Sequence, residues 1–281
     1  MRKKLALLLA GSMLTAMVLA GCGDKADVAK EDTAKTEASA ESKADGKTFT
    51  VGFDAEYPPY GYMDENGEYT GFDLELAEAV CEMEGWELVK KPINWDSKDM
   101  ELNSGSIDCI WNGFTMNGRE DDYTFSTPYV DNSQVIVVAE NSGIEKLEDL
   151  AGKTVGVQAA SAALQLLQTS EEEGGQKELA DTFGSLNEFA DYNTAFTELQ
   201  AGALDALAID IGVANYQLKS RGEGYTILSE ELNTEQYAIA FKKGNEELRD
   251  IIDADLKKLT EDGTVAKLAE KYDIADMVTL K

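Results

Sequence analysis

The chain has 281 residues, which suffices for one large domain or two ordinary ones, and its 43% hydrophobic residues can supply a proper core. The formal net charge of −29 argues against nucleic acid and anionic membrane surfaces as partners. Because the sequence contains no histidine, histidine-based triads, Cys–His dyads and histidine metal sites are excluded.

The N-terminus has the pattern of a targeting segment. A basic start, Arg2 to Lys4, precedes an apolar stretch, Leu5 to Leu19. That stretch is short for a membrane span, although a single span and an ordinary signal peptide are alternatives. Leu19-Ala20-Gly21-Cys22 resembles the lipobox of bacterial lipoproteins, in which the cysteine is diacylated and becomes the new N-terminus. This resemblance predicts a signal peptide over residues 1–21 and lipidation (palmitate) at Cys22.

Residues 22–47 form a predicted disordered tether after the lipidated cysteine. The segment consists almost entirely of small and charged residues, with Val28 as its only large apolar side chain. Such a composition cannot bury enough apolar surface to become ordered. As a flexible coil it would reach roughly 25–30 Å, which keeps the folded part near the extracytoplasmic face of the cell membrane. Removal of the leader leaves 22 basic residues against 54 acidic ones, a net charge of −32.

Two cysteines remain in the exported part. Cys81 lies on the apolar face of a predicted helix, and Cys109 lies in a predicted strand. We interpret both as small buried hydrophobic residues, with a disulfide between them as the alternative.

The first predicted strand, Thr48 to Phe53, leads into a stiff loop. The loop, Asp54 to Tyr62, contains Pro58-Pro59 and is therefore neither helix nor central strand. It places Asp54 and Tyr57 at the carboxyl end of a strand, although a packed surface loop would explain the same residues. An Asn66-Gly67 pair then predicts a hairpin.

A helix and a second strand follow. Apolar residues at helical spacing predict an amphipathic helix from Phe72 to Glu84, ended by Gly85. Glu87 to Lys91 is the next predicted strand. Trp95 follows the end of this strand, which indicates an exposed aromatic side chain at the same edge of the sheet.

The stretch from Ile107 to Arg119 is the strongest candidate for a binding loop. Ile107 to Trp111 reads as a short buried strand, and the Asn-Gly pairs after it end that strand. In open α/β sheets ligands bind at the carboxyl ends of strands. Arg119 could hold a carboxylate there through two parallel hydrogen bonds, with the Thr115 hydroxyl nearby. The alternative is a surface arginine that pairs with its acidic neighbours, residues 120–122.

A repeated pattern suggests two similar lobes. Residues 102–110 and 199–207 both read Leu-x-x-Gly-x-apolar-Asp-x-apolar, at an offset of 97 positions. Each copy predicts a helix end, a glycine turn and a strand, so we expect two lobes of βα architecture. The same offset places Asp210 where Gly113 stands in the first copy.

Between and after the two copies, the sequence predicts further strands and helices. Predicted strands lie at residues 133–139 and 152–157, and Ser161 is a candidate N-cap for a helix over residues 162–169. The start of that helix could offer N–H groups to an anion, or it could be a plain helix cap. Tyr237 to Phe241 is a further predicted strand, followed by two helices that begin near Leu248 and at Thr264.

Together these motifs resemble family 3 of the extracellular solute-binding proteins, which feed ABC importers of polar amino acids. The resemblance implies an α/β, two-lobed periplasmic-binding-protein-like (type II) fold with a hinge and a ligand cleft between the lobes. Lobe 1 would comprise residues 48–133 plus 236–281, and lobe 2 residues 134–235. The motifs that carry the resemblance are Val51 to Tyr60, Gly71 to Leu74, Asn112 to Thr115 with Arg119, Phe125 to Tyr129, Gly152 to Val157, Asp205-Ala206 and Asp262 to Thr264.

The resemblance also implies a role for each site residue. Arg119 would hold the α-carboxylate of an amino acid, helped by Thr115 and the backbone of Gly113, and Asp210 would take the α-ammonium. Tyr57 and Trp95 would enclose the side chain of the ligand, and Asp54 would lie at the far end of that side chain. Ser161 would lie where the backbone offers further N–H donors to the carboxylate.

This sequence departs from the family pattern at three places. The loop from Gly113 to Arg119 is one residue shorter than usual. Ala162 replaces a hydroxyl residue, and Trp95 is larger than the usual aromatic. These changes affect the register of Arg119, remove one donor and alter the volume of the pocket.

The implied function is capture of a polar, basic or amide amino acid by lobe closure and its delivery to the permease subunits of an ABC importer. We expect a monomeric lipoprotein without cofactor, metal ion or catalytic residue. One alternative is a subunit that senses amino acids. Another is a dehydratase-like enzyme on the same fold, with Asp54, Glu56 or Asp210 as general acid or base.

Overall fold

The computed structural model describes residues 46–281. The predicted signal peptide, Cys22 and the tether up to residue 45 lie outside the described residues. Lys47, the last predicted tether residue, packs on the fold, because its Nζ lies 3.8 Å from the centre of a Trp86 ring. Within residues 46–281, no helix is both long enough and apolar enough to cross a membrane.

The first lobe contains a five-stranded sheet. Its first strand, Thr48–Phe53, lies where the sequence predicted it and buries Phe49, Val51 and Phe53 completely. The strand order is β5-β1-β6-β14-β7, in which β1 runs parallel to β5 and β6 while β14 is antiparallel to its neighbours. The strands are β1 (Thr48–Phe53), β5 (Glu87–Pro92), β6 (Cys109–Ile110), β7 (Tyr123–Phe125) and β14 (Ala240–Lys242).

The second lobe contains a six-stranded sheet of order β10-β9-β11-β8-β12, with β13 paired to β8. Strands β9, β10 and β11 are parallel, and β8 is antiparallel to β11, β12 and β13. The strands are β8 (Val130–Ala139), β9 (Thr154–Gln158), β10 (Ser185–Phe189), β11 (Ala206–Asp210), β12 (Tyr225–Ile227) and β13 (Asn233–Tyr237).

A small three-stranded sheet carries the Pro58-Pro59 loop. Strands β2 (Glu56–Tyr57), β3 (Gly61–Met63) and β4 (Tyr69–Thr70) form it, and the predicted hairpin at Asn66-Gly67 joins the last two. Gly71 follows with φ 133°, and a Cβ there would lie 2.2 Å from the Tyr60 carbonyl oxygen. Only glycine fits so close to another backbone segment.

Eight helices pack on these sheets in the described part of the chain. Helix α1 covers Phe72–Glu84, as predicted, and Gly85 ends it in the left-handed conformation with φ 68°. Cys81 on this helix and Cys109 on β6 are both buried and free, which confirms the prediction for the two thiols. The other helices are α2 (Lys98–Ser104), α3 (Ala162–Gln168), α4 (Lys177–Ala180), α5 (Tyr192–Gln200), α6 (Ile211–Arg221), α7 (Glu246–Glu261) and α8 (Thr264–Lys271).

The repeated sequence pattern corresponds to a repeated structure. Helix α2 ends at Gly105, with φ 78°, and leads to β6, while α5 leads through Gly202, with φ 74°, to β11. Both glycines adopt the left-handed conformation that such a turn requires. The prediction of a helix, a glycine turn and a strand in each lobe is therefore confirmed.

Two antiparallel strands connect the lobes. Strand β8 pairs with β13 from Val130 opposite Tyr237 to Gln134 opposite Asn233. The predicted single strand from Tyr237 to Phe241 is wrong, because Tyr237 ends β13 in the second sheet whereas Ala240 begins β14 in the first. The two residues between them carry the chain from one sheet to the other.

Candidate functional site

The predicted site residues lie where strands of the two lobes end. In the first lobe Asp54 follows β1, Trp95 follows β5, and the loop from Gly113 to Arg119 follows β6. In the second lobe Ser161 lies just beyond β9, and Asp210 ends β11. The parallel strands direct these residues to the same edge of each sheet, where open α/β sheets bind ligands.

Asp54 is a buried carboxylate that contacts both lobes. Its Oδ1 accepts the Glu56 backbone N–H at 2.9 Å, and its Oδ2 accepts Gln158 Nε2, from the end of β9, at 2.6 Å. Burial raises the pKa of Asp54 to about 6, despite these two hydrogen bonds. Asp54 is therefore mostly ionised at neutral pH and loses its charge under mildly acidic conditions.

A cavity of about 560 Å³ opens beside Asp54 and is rich in acidic side chains. Trp95 lies on its wall, as the sequence indicated. The acidic residues that line it are Asp54, Glu56, Asp96, Glu101 and Asp191. A cavity with this lining attracts positively charged groups and repels carboxylates.

The two predicted aromatic walls have different neighbours. Tyr57 is buried against Tyr60 and Tyr192, with ring centroids 5.9 and 6.0 Å away. Trp95 is half-buried and meets the edge of Phe114 at 5.7 Å. A sandwich of one ligand side chain between Tyr57 and Trp95 therefore stays a prediction.

Gly113 is held by a carboxylate that the sequence reading missed. Its backbone N–H donates to Asp73 Oδ2 at 2.6 Å, and the Tyr129 hydroxyl donates to the same oxygen at 2.8 Å. Asp73 is completely buried at the start of helix α1, and this burial raises its pKa to about 7. Gly113 has φ 55°, and a Cβ there would approach the Tyr237 and Tyr57 rings to 2.9 and 3.0 Å.

The Arg119 side chain is buried and has no carboxylate partner among the described residues. The only hydrogen bonds of its guanidinium there go to amide oxygens: Nε donates to Gln165 Oε1 at 3.1 Å, and an Nη donates to the Thr115 carbonyl at 3.3 Å. The guanidinium lies 4.7 Å from the Phe114 ring centre. Burial lowers the pKa of Arg119 from its ordinary value. The alternative of a surface arginine paired with residues 120–122 does not describe this side chain.

A second buried cation, Lys98, lies near Arg119. The two side chains share the lining of a cavity of about 330 Å³ with Ser161 and Gln165. Lys98 Nζ donates to the Ala160 carbonyl at 3.4 Å, and burial lowers its pKa. The sequence reading missed Lys98, because a lysine in a helix is usually solvated.

Ser161 caps helix α3, as predicted. Its Oγ accepts the Leu164 N–H at 3.1 Å and donates to the Gln158 carbonyl at 2.7 Å. The hydroxyl proton of Ser161 is thus directed at the Gln158 carbonyl. The preceding residue, Ala160, has φ 54°, an uncommon conformation for a residue with a side chain.

Asp210 is buried in a network of donors. Its Oδ1 accepts Gln134 Nε2 at 2.6 Å, the Tyr237 hydroxyl at 2.6 Å and Asn132 Nδ2 at 3.0 Å. The Tyr57 hydroxyl lies 3.2 Å from the Tyr237 hydroxyl, so Tyr57 reaches this network as well. The donors come from the strands that connect the lobes, and no motif in the sequence marked them.

Thr115 contacts a carboxylate rather than an open space. Its Oγ1 donates to Glu235 Oε1 at 2.8 Å, and its backbone forms a bridge with Tyr237. Glu235, on strand β13, was not among the predicted site residues. The structure therefore joins the Thr115 loop of one lobe to the Asp210 network of the other through the connecting strands.

Two α/β lobes with buried charges of opposite sign between them define a two-lobed binding protein. Residues 49–274 match the bacterial extracellular solute-binding proteins, family 3, and the chain belongs to this family. Two curated relatives are the L-cystine-binding protein TcyJ of Escherichia coli (strain K12) and the arginine-binding extracellular protein ArtP of Bacillus subtilis (strain 168). The first is 30% identical over 82% of this chain and 84% of TcyJ, and the second 32% identical over 82% of this chain and 88% of ArtP.

Solved structures agree on the fold. A histidine-bound substrate-binding protein of an ABC uptake transporter from Streptococcus pneumoniae superimposes with a TM-score of 0.77 at 34% identity, covering 83% of this chain and 94% of that protein. An ancestral amino acid-binding protein, AncCDT-1, described as a precursor of cyclohexadienyl dehydratase, gives a TM-score of 0.72 at 31% identity, covering 80% and 95%. The predicted two-lobed fold is confirmed.

Proposed function

We propose that this chain is the substrate-binding component of an ABC importer and captures one free polar amino acid between its lobes. The observation that carries the proposal is the pair of buried charges at strand ends of different lobes. Arg119 has no carboxylate partner in the described part of the chain, and Asp210 has no cation within 4.0 Å of it there. A zwitterion supplies both missing charges at a fixed separation, and both are neutralised together only when the lobes meet around it.

Each site residue takes one part of the ligand in this proposal. Arg119 binds the α-carboxylate at the start of helix α3, next to Ser161, while Asp210 binds the α-ammonium. Because the Gly113 N–H donates to Asp73, we assign Gly113 to positioning the loop. Tyr57 and Trp95 bound the space for the side chain, and Asp54 lies at its far end. Because the Thr115 hydroxyl donates to Glu235, we assign it to positioning the loop rather than to direct binding.

The acidic cavity beside Asp54 favours a ligand side chain that is polar and not acidic. A guanidinium or ammonium between aromatic faces gains cation–π attraction and meets the Asp54 carboxylate, whereas a ligand carboxylate meets like charges. We place arginine and lysine ahead of glutamine and cystine. Arginine and cystine are the ligands in the names of the two curated relatives.

A competition series tests this assignment. Arginine, lysine, glutamine, cystine, glutamate and leucine, at equal concentration, are compared by thermal shift and then by calorimetry. Arginine or lysine should raise the unfolding temperature most and glutamate least, since only the basic side chains complement the acidic cavity. Tightest binding of glutamate or leucine would contradict the side-chain assignment, and binding of no amino acid would contradict the function.

The preference for arginine over glutamine should depend on pH through Asp54. The two ligands share their α-groups, so the ratio of their affinities isolates the side-chain end. The pKa of Asp54 is about 6, so Asp54 is ionised at pH 7.5 and largely neutral at pH 5. We expect the ratio to fall by up to about tenfold per pH unit below pH 6, because only the ionised carboxylate discriminates between charged and neutral side chains.

Calorimetry at pH 5, 6 and 7.5 measures this ratio. Asp54→Asn should give a low ratio that does not change with pH, whereas Glu65→Gln, which removes an exposed charge from the hairpin, should behave like the wild type. A ratio in the Asp54→Asn variant that still tracks pH would assign the effect to another group.

The remaining parts of the proposal concern location and partners. We propose that Cys22 is lipidated, that residues 22–47 tether the protein to the extracytoplasmic face of the membrane, and that a monomer delivers its ligand to permease subunits. The lobe boundaries, 48–133 plus 236–281 and 134–235, belong to the same proposal. Mass spectrometry of membrane-extracted protein would show the acyl chains, and an unmodified Cys22 would contradict the anchor.

Two other functions use the same cleft. A sensing subunit also needs ligand-driven closure, and co-purification with a permease distinguishes import from sensing. A dehydratase-like enzyme would convert its ligand, and the similar AncCDT-1 is described as a precursor of such an enzyme. Incubation of the protein with its ligand, followed by analysis of the ligand, tests for this conversion. The curated relatives are named as binding proteins, so recovery of the bound ligand unchanged is the expected result.

A further inference from the structure

A second buried carboxylate, Glu235, lies beside Asp210 at the strands that connect the lobes. Glu235 Oε1 accepts Asn132 Nδ2, Gln134 Nε2 and the Thr115 hydroxyl, each at 2.8 Å. The same two amide nitrogens donate to Asp210 Oδ1 at 3.0 and 2.6 Å. Each amide nitrogen therefore bridges the two acids, which form one unit, the Asp210–Glu235 pair.

The surroundings of this pair contain little positive charge. Within the described residues, no lysine or arginine nitrogen lies within 4.0 Å of either carboxylate, and Arg119 interacts with both only from a greater distance. The other titratable groups that feel the charge of Glu235 or Asp210 are Tyr57, Tyr60, Tyr192 and Tyr237. Burial raises the pKa of all four, so they stay neutral at neutral pH.

Two ionised carboxylates are unfavourable in such a site. Burial without a paired cation destabilises each ion, and like charges at short range add to that penalty. Burial, and then the charge of Asp210, raises the pKa of Glu235 above its ordinary value. The pair therefore favours a state in which it binds one positive charge, either a proton or a cationic group of a ligand.

Four uncharged polar atoms around the pair have no hydrogen-bond partner among the described residues: Asn132 Oδ1, Gln134 Oε1 and the hydroxyls of Tyr60 and Tyr192. Asn132 and Gln134 belong to the bridging amides, and both tyrosines lie close enough to Asp210 for that charge to raise their pKa. Buried polar atoms without partners are uncommon, and here they adjoin the place proposed for an ammonium group.

We propose that Asp210 and Glu235 together form the ammonium site, that Glu235 holds a proton in the free protein, and that it releases this proton to solvent when the α-ammonium binds. The inference rests on the proposed amino-acid binding and adds Glu235 to the binding residues. The exchange replaces one positive charge by another, so the net charge of the pair stays at −1 with and without ligand. It also gives a primary ammonium, with three N–H donors, two carboxylates to bind.

Calorimetry in buffers of different ionisation enthalpy counts the protons released on binding. The wild-type protein is titrated at pH 7.5 with the amino acid of highest affinity in phosphate, HEPES and Tris. We expect a net release of protons, and by linkage an affinity that rises with pH over the range in which release occurs. Asp54, with a pKa of about 6, is almost fully ionised at pH 7.5 and contributes little.

Two variants assign the proton. Glu235→Gln keeps an acceptor oxygen for Thr115 but has no carboxyl proton to release, so it should release almost none and bind with little pH dependence. Asp131→Asn removes an exposed carboxylate from β8, the other connecting strand, and it should release as much as the wild type. A merely structural role of Glu235 would lower affinity without changing the number of protons released.

The outcomes separate the inference from the function on which it rests. Wild-type protein that binds an amino acid without releasing a proton overturns the role of the pair and leaves amino-acid binding intact, as does equal release by Glu235→Gln. Failure of the wild type to bind any amino acid overturns both. If Glu235→Gln loses binding entirely, the wild type and Asp131→Asn decide the question. Proton release by both supports the role of the pair, and binding without proton release overturns that role.

Discussion

Arg119→Ala is expected to weaken binding of every amino acid by roughly 30- to 4000-fold. Truncating one partner of a buried charge pair costs about 2–5 kcal/mol in binding, and each 1.4 kcal/mol is a factor of ten in Kd. Arg119 is well suited to this role, because in the described structure its bonds to Gln165 and the Thr115 carbonyl leave the guanidinium charge uncompensated. Arg119→Lys should recover only part of the loss, since lysine keeps the charge but not the two parallel N–H bonds.

The α-carboxylate can be isolated as the cause of this effect. Agmatine has the arginine side chain and amine but no carboxylate, so Arg119→Ala should bind agmatine about as weakly as the wild type does. Arg249→Ala, on helix α7, is the matched control and should leave arginine binding unchanged. Calorimetry that shows near-native affinity of Arg119→Ala for all amino acids would remove Arg119 from the site.

Asp210→Asn is expected to cost a similar amount, on the order of 2–5 kcal/mol of binding free energy. Asparagine keeps an acceptor oxygen for Tyr237 and the two amides but loses the charge that the α-ammonium needs. The affinity should fall strongly for each amino acid. It should not fall for the arginine analogue that keeps the carboxylate and lacks the α-amino group. That pattern is the reverse of the one expected for Arg119→Ala.

The control for Asp210→Asn is Asp181→Asn, which removes an exposed carboxylate that pairs with Lys177. Thermal unfolding of both variants shows whether the fold is intact before affinities are compared. If Asp210→Asn loses affinity equally for arginine and for the analogue that lacks the α-amino group, then Asp210 supports the fold of the cleft and does not bind the ammonium.

The fold was predictable because its elements follow local rules. The helix from Phe72 to Glu84 has a regular apolar face and a glycine end, and both limits agree with the structure. The hairpin at Asn66-Gly67 and the two helix–glycine–strand repeats rest on turn chemistry that few residues other than glycine satisfy. Strand ends then indicated where Asp54, Arg119 and Asp210 would lie.

The residues that sequence reasoning missed act over long sequence separations. Asp73 holds Gly113 from 40 positions away, and Glu235 meets Thr115 from 120 positions away. A charged residue of an amphipathic helix usually faces solvent, and nothing local reveals that another segment covers Asp73. The strand predicted from Tyr237 to Phe241 failed for a related reason, since a continuous apolar run does not show that the chain changes sheets within it.

Glu235 carried one usable signal. It lies among Asn233, Gln236 and Tyr237 in a strand with an unusual share of polar residues, and β8 has Asn132, Ser133 and Gln134 in the facing positions. Two polar segments that both occur at predicted lobe crossings indicate a buried hydrogen-bond network. Which acid would lie next to which could be seen only after the strands were paired.

The connecting strands also limit how the movement of the lobes can be altered by substitution without affecting the Asp210 site. In a hinged protein, a substitution at the hinge changes the apparent affinity by shifting the equilibrium between the open and closed states. In this chain Asn132, Gln134, Glu235 and Tyr237 belong to the connecting strands and also hold the Asp210 carboxylate or share its donors. We expect a substitution there to change both the movement of the lobes and the proposed recognition of the α-ammonium. A dye attached to the exposed hairpin at Asn66-Gly67 would contact neither the connecting strands nor the Asp210 network.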